Sequence, residues 1–282
     1  MTTTIGDAGP ESGHGSDDHS DQPGGLDELL DRHGPTPIDY QQKEAVSKAL
    51  QNGASIDAIV IAGDIRRSTS LMKEAVSFQV YAQIINRFVT AIQIATRSCG
   101  GWFDKFTGDG FLAFWVTTGD ASLKGTVLRN VVEYARQQRV FFGELILPDL
   151  RLNSQNFPAG VGFAVGIDGG PTYPATIAGQ LTIVGPPVVG AVRMLNTAGP
   201  GEILLNVRPG QSLYDYQSRI WKHGEVEVTQ EWRKTKEYEQ QVFPVVSKDD
   251  STTVSAFRKM RNRPPRGPEP LQAPPAPESP SA

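Results

Sequence analysis

The chain has 282 residues and a formal net charge of −4, a balance that gives no sign of general nucleic-acid affinity. It contains one cysteine, Cys99, which excludes an intrachain disulfide and a thiolate metal cluster. The chain has no apolar run approaching the roughly 20 residues that span a bilayer and no signal-peptide pattern at its start, so we expect a cytoplasmic protein without membrane insertion.

Both ends of the chain are poor in aliphatic residues, and the second is rich in proline. Such segments bury too little apolar surface to offset the chain entropy lost on ordering. We therefore predict disordered tails at residues 1–25 and 247–282. We expect the remaining residues, 26–246, to form one folded domain of ordinary size.

Hydrophobic periodicity predicts two short helices, Leu26–His33 and Tyr40–Gln51, followed by a strand at Ile56–Asp64 that is apolar on both faces. Ser68, Thr69 and Ser70 are each able to cap a helix start. Apolar residues then recur at i, i+3, i+4, i+7, i+8 and i+11 between Tyr81 and Ile92, which predicts an amphipathic helix. The helix should stop at Gly100-Gly101.

A β-hairpin is predicted next, with the apolar runs Trp102–Thr107 and Phe111–Val116 on either side of Gly108-Asp109-Gly110. The later elements are predicted as a helix at Ser122–Val140, strands at Glu144–Leu152, Gly160–Ile167 and Gly179–Val184, a helix at Val188–Leu195, a strand at Glu202–Val207 and a final hairpin at Gly224–Val246. This mixed order favours an α/β fold, an α+β sandwich, over a doubly wound parallel sheet.

Two aspartates stand out, Asp64 at the end of the first strand and Asp109 in the tip of the hairpin. If the hairpin lies beside that strand, both carboxylates meet at one sheet edge, where they would repel unless a cation lay between them. Mg²⁺ and Mn²⁺ suit such oxygen ligands, and the carbonyl of Ile65 could complete the set. The residues alone leave a second interpretation open, in which Asp64 caps a helix and Asp109 is a turn residue.

The residues after Asp64 indicate an anion-binding site. Arg66, Ser68 and Thr69 lead into a helix start, where free N–H groups and the positive end of the helix dipole suit a phosphate. A triphosphate bound there would lie close to a cation at the aspartates.

Four stretches together resemble the catalytic domain of class III adenylate and guanylate cyclases in order and spacing: IVIAGDIRRSTSLM, GGWFDKFTGDGFLAFW, VGFAVGIDGG and TIVGPPVVGAVRMLNTAGPGEILL. The resemblance extends from Ile56 to Val246, with the motifs between 56 and 207. It implies a ferredoxin-like core that forms a head-to-tail homodimer with active sites at the interface. It also implies two Mn²⁺ or Mg²⁺ ions per site and a nucleoside triphosphate substrate.

By this resemblance, Asp64 and Asp109 match the metal aspartates and Ile65 the backbone-carbonyl ligand. Lys105 and Thr182 match the residues that contact the base. Arg193 matches the arginine that steadies the developing phosphate charge from the partner subunit. The alternative is that Lys105 is a solvated strand residue, Thr182 an ordinary strand threonine and Arg193 a surface helix residue.

One position departs from the family. The asparagine expected four residues before Arg193 is Val189, which cannot hydrogen-bond to ribose or phosphate. Asn196, about one helical turn beyond Arg193, is a possible substitute.

A domain standing alone with such a helix resembles the pyrimidine cyclases of bacterial Pycsar antiphage systems. These make cyclic UMP or cyclic CMP from UTP or CTP and act through a separate effector protein. Two alternatives stay open, an adenylate cyclase that makes cyclic AMP and a catalytically impaired nucleotide-binding regulatory domain.

Overall fold

The computed structural model describes residues 25–37, 39–117, 121–206, 226–228, 231–234 and 239–247. The described elements are, in chain order, α1 Leu26–His33, α2 Tyr40–Asn52, β1 Ile56–Arg66, α3 Ser68–Lys73, α4 Phe78–Ser98, β2 Trp102–Phe106, β3 Gly110–Val116, α5 Ala121–Phe141, a π-helical turn Phe142–Ile146, α6 Leu147–Leu152, β4 Gly162–Ile177, β5 Gln180–Val184, α7 Pro186–Thr197, β6 Ile203–Asn206, β7 Val226–Val228, β8 Glu231–Lys234 and β9 Glu239–Ser247. Among these, no helix is long and apolar enough to cross a membrane. The predicted tails, apart from Gly25 and Ser247, lie outside the described residues.

The described strands form a nine-stranded sheet in the order β2-β3-β1-β4-β6-β9-β7, with β5 paired to β4 and β8 paired to β9 outside that path. The pairings are antiparallel, except that β4 and β6 run parallel. A largely antiparallel sheet covered by helices is an α+β arrangement, so the predicted fold class is confirmed.

Strand β1 lies at the centre of the sheet and is buried on both faces, as its sequence predicts. Its odd-numbered residues, such as Ile59 and Ile61, belong to a core shared with α4 and α5. Its even-numbered residues, such as Val60 and Ala62, belong to a second core shared with α1, α2 and α7. The alternation of side chains along a strand explains how one continuous apolar run feeds two cores.

Helix α4 confirms the periodicity between Tyr81 and Ile92 and buries Phe88 and Ile92 almost completely. It begins at Phe78, where the side chain of Ser77 accepts a hydrogen bond from the Val80 N–H. The Ser68–Ser70 segment instead opens the separate, six-residue helix α3.

The predicted strand at Glu144–Leu152 is wrong, because this segment continues α5 as a π-helical turn and then α6. Phe142, Ile146 and Leu150 are all buried, and their spacing of four places them on one helical face. The short apolar run in this segment is compatible with either element, and the spacing of its buried residues decides for the helix.

Strand β4 is longer than predicted, because it runs on to Ile177 and turns back into β5 through Ala178 and Gly179. Both turn residues have positive φ, 51° and 71°, as a tight two-residue hairpin requires. The final segment, predicted as one hairpin, contains β8 and β9 as an antiparallel pair, and β9 also pairs with β6 and β7.

Candidate functional site

The structure brings Asp64 and Asp109 to the same edge of the sheet. Asp64 pairs with Gly110 in the β1–β3 ladder, and the Ile65 N–H donates to the Asp109 carbonyl at 3.1 Å. Asp109 lies in the turn between β2 and β3. A Cβ at Gly110 would lie 2.5 Å from the Gly63 carbonyl oxygen, so only glycine permits this approach of β3 to β1.

The two carboxyl groups influence each other directly. The pKa of Asp64 is raised to about 6, first by burial, then by the negative charge of Asp109 and by a hydrogen bond with it. The Arg66 guanidinium and the Ile65 N–H act in the opposite direction. The pair therefore holds negative charge at an energetic cost that a bound cation would relieve.

Two predicted phosphate-binding residues lie directly beside these carboxylates. The Ser68 hydroxyl donates to Asp109 Oδ2. Arg66 places Nη1 3.3 Å from Asp64 Oδ2, and its Nη2 donates to the Leu195 carbonyl at the end of α7. The Arg66 Nε is buried and without a hydrogen-bond partner among the described residues. Both side chains thus line the aspartate pair, and their role toward phosphate stays a prediction.

Thr69 is exposed on α3, which follows Arg67 at a positive φ of 64°. As the sequence predicts, a helix begins shortly after Asp64, and this helix is α3. A role for Thr69 in nucleotide binding stays a prediction.

Lys105 and Thr182, predicted to act together on a base, are in contact. The Lys105 ammonium donates to Thr182 Oγ1 at 3.0 Å, although the two residues are far apart in the chain. The contact forms because β5 packs against β2 and α1. Thr182 also donates to the buried carboxylate of Asp104 at 2.9 Å. These residues form the second cluster of the site, which we call the Lys105 cluster.

Arg193 lies on the exposed face of α7. The opposite face packs so closely on β4 that a Cβ at Gly166 would lie 2.1 Å from the Ala191 carbonyl oxygen. Val189 is also exposed, at 51%, one helical turn before Arg193, and Asn196 is exposed beyond it. Helix α7 thus presents Arg193 outward.

Sequence reasoning missed Asp104 and assigned Tyr81 only to a helix face. Tyr81 is half-buried, and its pKa is raised first by burial and then by the negative charge of Asp109. Asp104 precedes Lys105, and successive strand residues normally face opposite ways. A β-bulge between Phe103 and Lys105 lets both Asp104 and Lys105 interact with Thr182, and the sequence has no signal that predicts this bulge.

The residues present fit a hard divalent cation. Asp64 and Asp109 supply carboxylate oxygens close enough to repel each other, the ligand type that Mg²⁺ and Mn²⁺ prefer. Among the described residues there is no group of three or more His, Cys, Asp or Glu side chains that could hold a metal. A cation here would therefore take its further ligands from backbone carbonyl, water or substrate oxygens.

Comparison with known proteins gives a fold assignment. No protein-family model matches the chain, and no curated protein sequence resembles it significantly. Solved structures do resemble it. The adenylyl cyclase CyaB from P. aeruginosa has a TM-score of 0.55 at 19% identity, over 68% of this chain and 95% of that one.

Two guanylyl cyclases are similar to the chain at comparable levels. Cya2 has a TM-score of 0.54 at 16% identity, over 68% of this chain and 93% of its own. The guanylate cyclase domain of RhGC from Catenaria anguillulae, solved in complex with GTP, has a TM-score of 0.52 at 16% identity, over 68% of this chain and 97% of its own. The chain therefore has the fold of the class III adenylyl and guanylyl cyclase catalytic domains.

Proposed function

We propose that the protein is a nucleotide cyclase that converts a nucleoside triphosphate into a 3′,5′-cyclic nucleotide and pyrophosphate. The observation that carries this proposal is the contact of Asp64 with Asp109 at one edge of a cyclase-type sheet. In the reaction, the ribose 3′-oxygen forms a bond to the α-phosphorus, pyrophosphate leaves, and the hydroxyl proton passes to solvent.

Asp64, Asp109 and the Ile65 carbonyl would hold two divalent cations, Mg²⁺ or Mn²⁺. Such ions supply Lewis acidity toward the ribose hydroxyl and the α-phosphate. Ser68 orients the Asp109 carboxylate by its hydrogen bond, and Arg66 offsets the charge of Asp64. Both residues also stand beside the place that a triphosphate would occupy, as does the exposed Thr69.

The Lys105 cluster would bind the base, because Lys105 and Thr182 offer a donor and a hydroxyl next to each other. Arg193 would steady the charge that develops on the phosphate, since a guanidinium matches phosphate oxygens with two parallel donors.

Arg193 points outward on α7, so we propose that it serves the aspartates of a partner subunit in a head-to-tail homodimer. Exposed apolar side chains support this arrangement. Contact of such side chains with solvent is unfavourable, so a cluster of them indicates a surface that another chain covers. They lie on the β4–β5 hairpin and on α7: Tyr173, Ile177, Val184, Val189 and Val192.

We propose UTP, or alternatively CTP, as the substrate, with cyclic UMP or cyclic CMP as a second messenger in antiphage defence through a separate effector protein. This part of the proposal is supported by the Pycsar-like α7 sequence with Val189 in place of asparagine. An adenylate cyclase is the second candidate, since the Lys105–Thr182 contact equally suits adenine.

An impaired regulatory domain is the third candidate, because Val189 exposes an apolar side chain where a hydrogen-bonding one is expected. One experiment separates the three. Purified protein is incubated with each of the four ribonucleoside triphosphates and Mn²⁺, and products are identified by mass spectrometry.

Cyclic UMP or cyclic CMP as the main product supports the first candidate, and cyclic AMP the second. Bound nucleotide without any cyclic product supports the third. Asp64→Ala and Asp109→Ala should each abolish turnover while the fold is retained. Activity close to wild type in either variant would contradict the role of the aspartates.

A further inference from the structure

The Thr182 hydroxyl lies between two charged groups of β2. Lys105 Nζ is 3.0 Å from Thr182 Oγ1, and Thr182 Oγ1 is 2.9 Å from Asp104 Oδ2. An ammonium only donates hydrogen bonds, and an ionised carboxylate only accepts them. The chemistry of these neighbours therefore fixes the hydroxyl proton, so that Thr182 donates to Asp104 and accepts from Lys105.

Burial disfavours the ionised form of Asp104, and its polar neighbours favour that form. Its side chain is 1% exposed, and the Lys105 ammonium lies 3.6 Å from its Oδ1. The pKa of Asp104 is raised overall, because burial outweighs the Thr182 hydroxyl, the Lys105 charge and the Ile183 N–H, which lower it. All three of these neighbours are donors, and a protonated carboxyl would turn its own proton toward one of them.

We propose that Asp104 is a positioning residue for base recognition that acts through Thr182, an inference that depends on the proposed cyclase function. By holding the hydroxyl proton, Asp104 leaves Thr182 able only to accept from a ligand. Lys105 is exposed and keeps N–H groups free to donate. The cluster then selects the edge of a nucleobase that places an N–H donor beside an acceptor in one particular order.

The order of the donor and the acceptor along the edge of the base is the source of specificity. Adenine and cytosine carry the donor on the exocyclic nitrogen and the acceptor on the ring, whereas guanine and uracil have the reverse. A Thr182 hydroxyl that could rotate freely would pair with either a donor or an acceptor at its own position, and only Lys105 would then discriminate. A hydroxyl whose proton is held by Asp104 serves one, and a mismatched base leaves two donors or two acceptors facing each other.

The test is the binding of α,β-methylene analogues of the four triphosphates, measured by calorimetry with Mn²⁺. In these analogues a P–C bond replaces the bond that would break. Wild type should prefer some bases over others. Asp104→Asn, whose amide can donate to Thr182 and free its proton, should reduce the ratio of the best to the worst affinity about tenfold. Thr182→Val should do the same.

The double variant distinguishes action through Thr182 from a general effect. If Asp104 works through the hydroxyl, adding Asp104→Asn to Thr182→Val changes the ratio no further. Thr182→Ser keeps the hydroxyl and should retain the wild-type ratio, which tests the inference even if the Asp104 variant folds poorly. Three results would overturn the inference. They are an equal loss of affinity for all four analogues in Asp104→Asn, additive losses of the affinity ratio in the double variant, and a loss of that ratio in Thr182→Ser.

The inference and the cyclase function fail in different ways. Wild type that binds the analogues with a base preference but forms no cyclic product refutes the cyclase, and the four variants still test Asp104. Wild type that cyclises triphosphates without any base preference refutes the role of Asp104 alone.

Discussion

Replacing Asp64 by asparagine should stabilise the protein when no metal is bound. Ionised Asp64 is unfavourable in the folded state, because burial and the charge of Asp109 raise its pKa from 3.8 to about 6. A tenfold change in proton affinity corresponds to about 1.4 kcal/mol, so the ionised carboxylate costs up to about 3 kcal/mol of stability. The side chain is 23% exposed, and screening by water reduces this to about 1–3 kcal/mol.

The sign of the pH dependence follows from the raised pKa. Below about pH 3 Asp64 is protonated in both the folded and the unfolded chain, and the substitution changes nothing. The cost builds up as the pH rises from about 3.8 to about 6, where the folded protein holds the proton more tightly, and is complete by about pH 7. Asp64→Asn should therefore raise the unfolding temperature by about 2–12 °C at pH 7.5, since 1 kcal/mol corresponds to about 2–4 °C in a domain of this size, and by much less at pH 4.

Thermal unfolding followed by circular dichroism in EDTA measures this difference. Asp57→Asn, at the opposite end of β1, is the matched control and should not stabilise the protein. Adding Mn²⁺ should reverse the order, because the cation stabilises wild type by mass action and binds the variant weakly. A variant that is less stable than wild type at pH 7.5 in EDTA, or a gain that is as large at pH 4 as at pH 7.5, would refute the electrostatic reasoning.

Two further predictions concern α7. Arg193→Ala subunits mixed with Asp64→Ala subunits should regain part of the lost cyclase activity if each site combines both protomers, whereas no regain in heterodimers argues against shared sites. Gly190→Ala should destabilise the fold by about 3 kcal/mol or more in urea unfolding, because its Cβ would lie 1.7 Å from Asp168 Oδ2. Gly143→Ala, with open space around its Cβ, is the control, and equal effects of the two would contradict the packing argument.

The sequence predicts the elements that bury a regular pattern. Strand β1 has an uninterrupted apolar run, and α4 repeats its apolar residues at helical spacing, so both are found where predicted. The prediction of a strand at Glu144–Leu152 fails because the apolar run there is short and fits a strand or a helix equally well. What decides it is the packing of Ile146 and Leu150 into the core, which depends on distant residues.

The residues of the candidate site also fall into two groups, those that the sequence identifies and those that only the tertiary packing reveals. The motif residues Asp64 and Asp109 are recognisable, because strand ends and hairpin tips have sequence signals of their own. Asp104 was not recognised from the sequence, because its contact with Thr182 depends on a bulge in β2 and on the packing of β5, which is distant in sequence. Arg66 was predicted to bind phosphate, and its link to the end of α7 depends equally on tertiary packing.

The position of β1 in the sheet has a consequence for how firmly each half of the site is held. Amides of a strand that is bonded on both sides and buried on both faces exchange with solvent only when the whole domain opens. Strand β2 lies at the sheet edge, and β5 pairs with β4 alone in the described part of the chain. Hydrogen exchange should therefore find Asp64 and Ile65, which lie on β1, rigid throughout the folded lifetime. The Lys105 cluster should open more often, so under the proposed function changes in substrate preference can arise there at little cost to the fold.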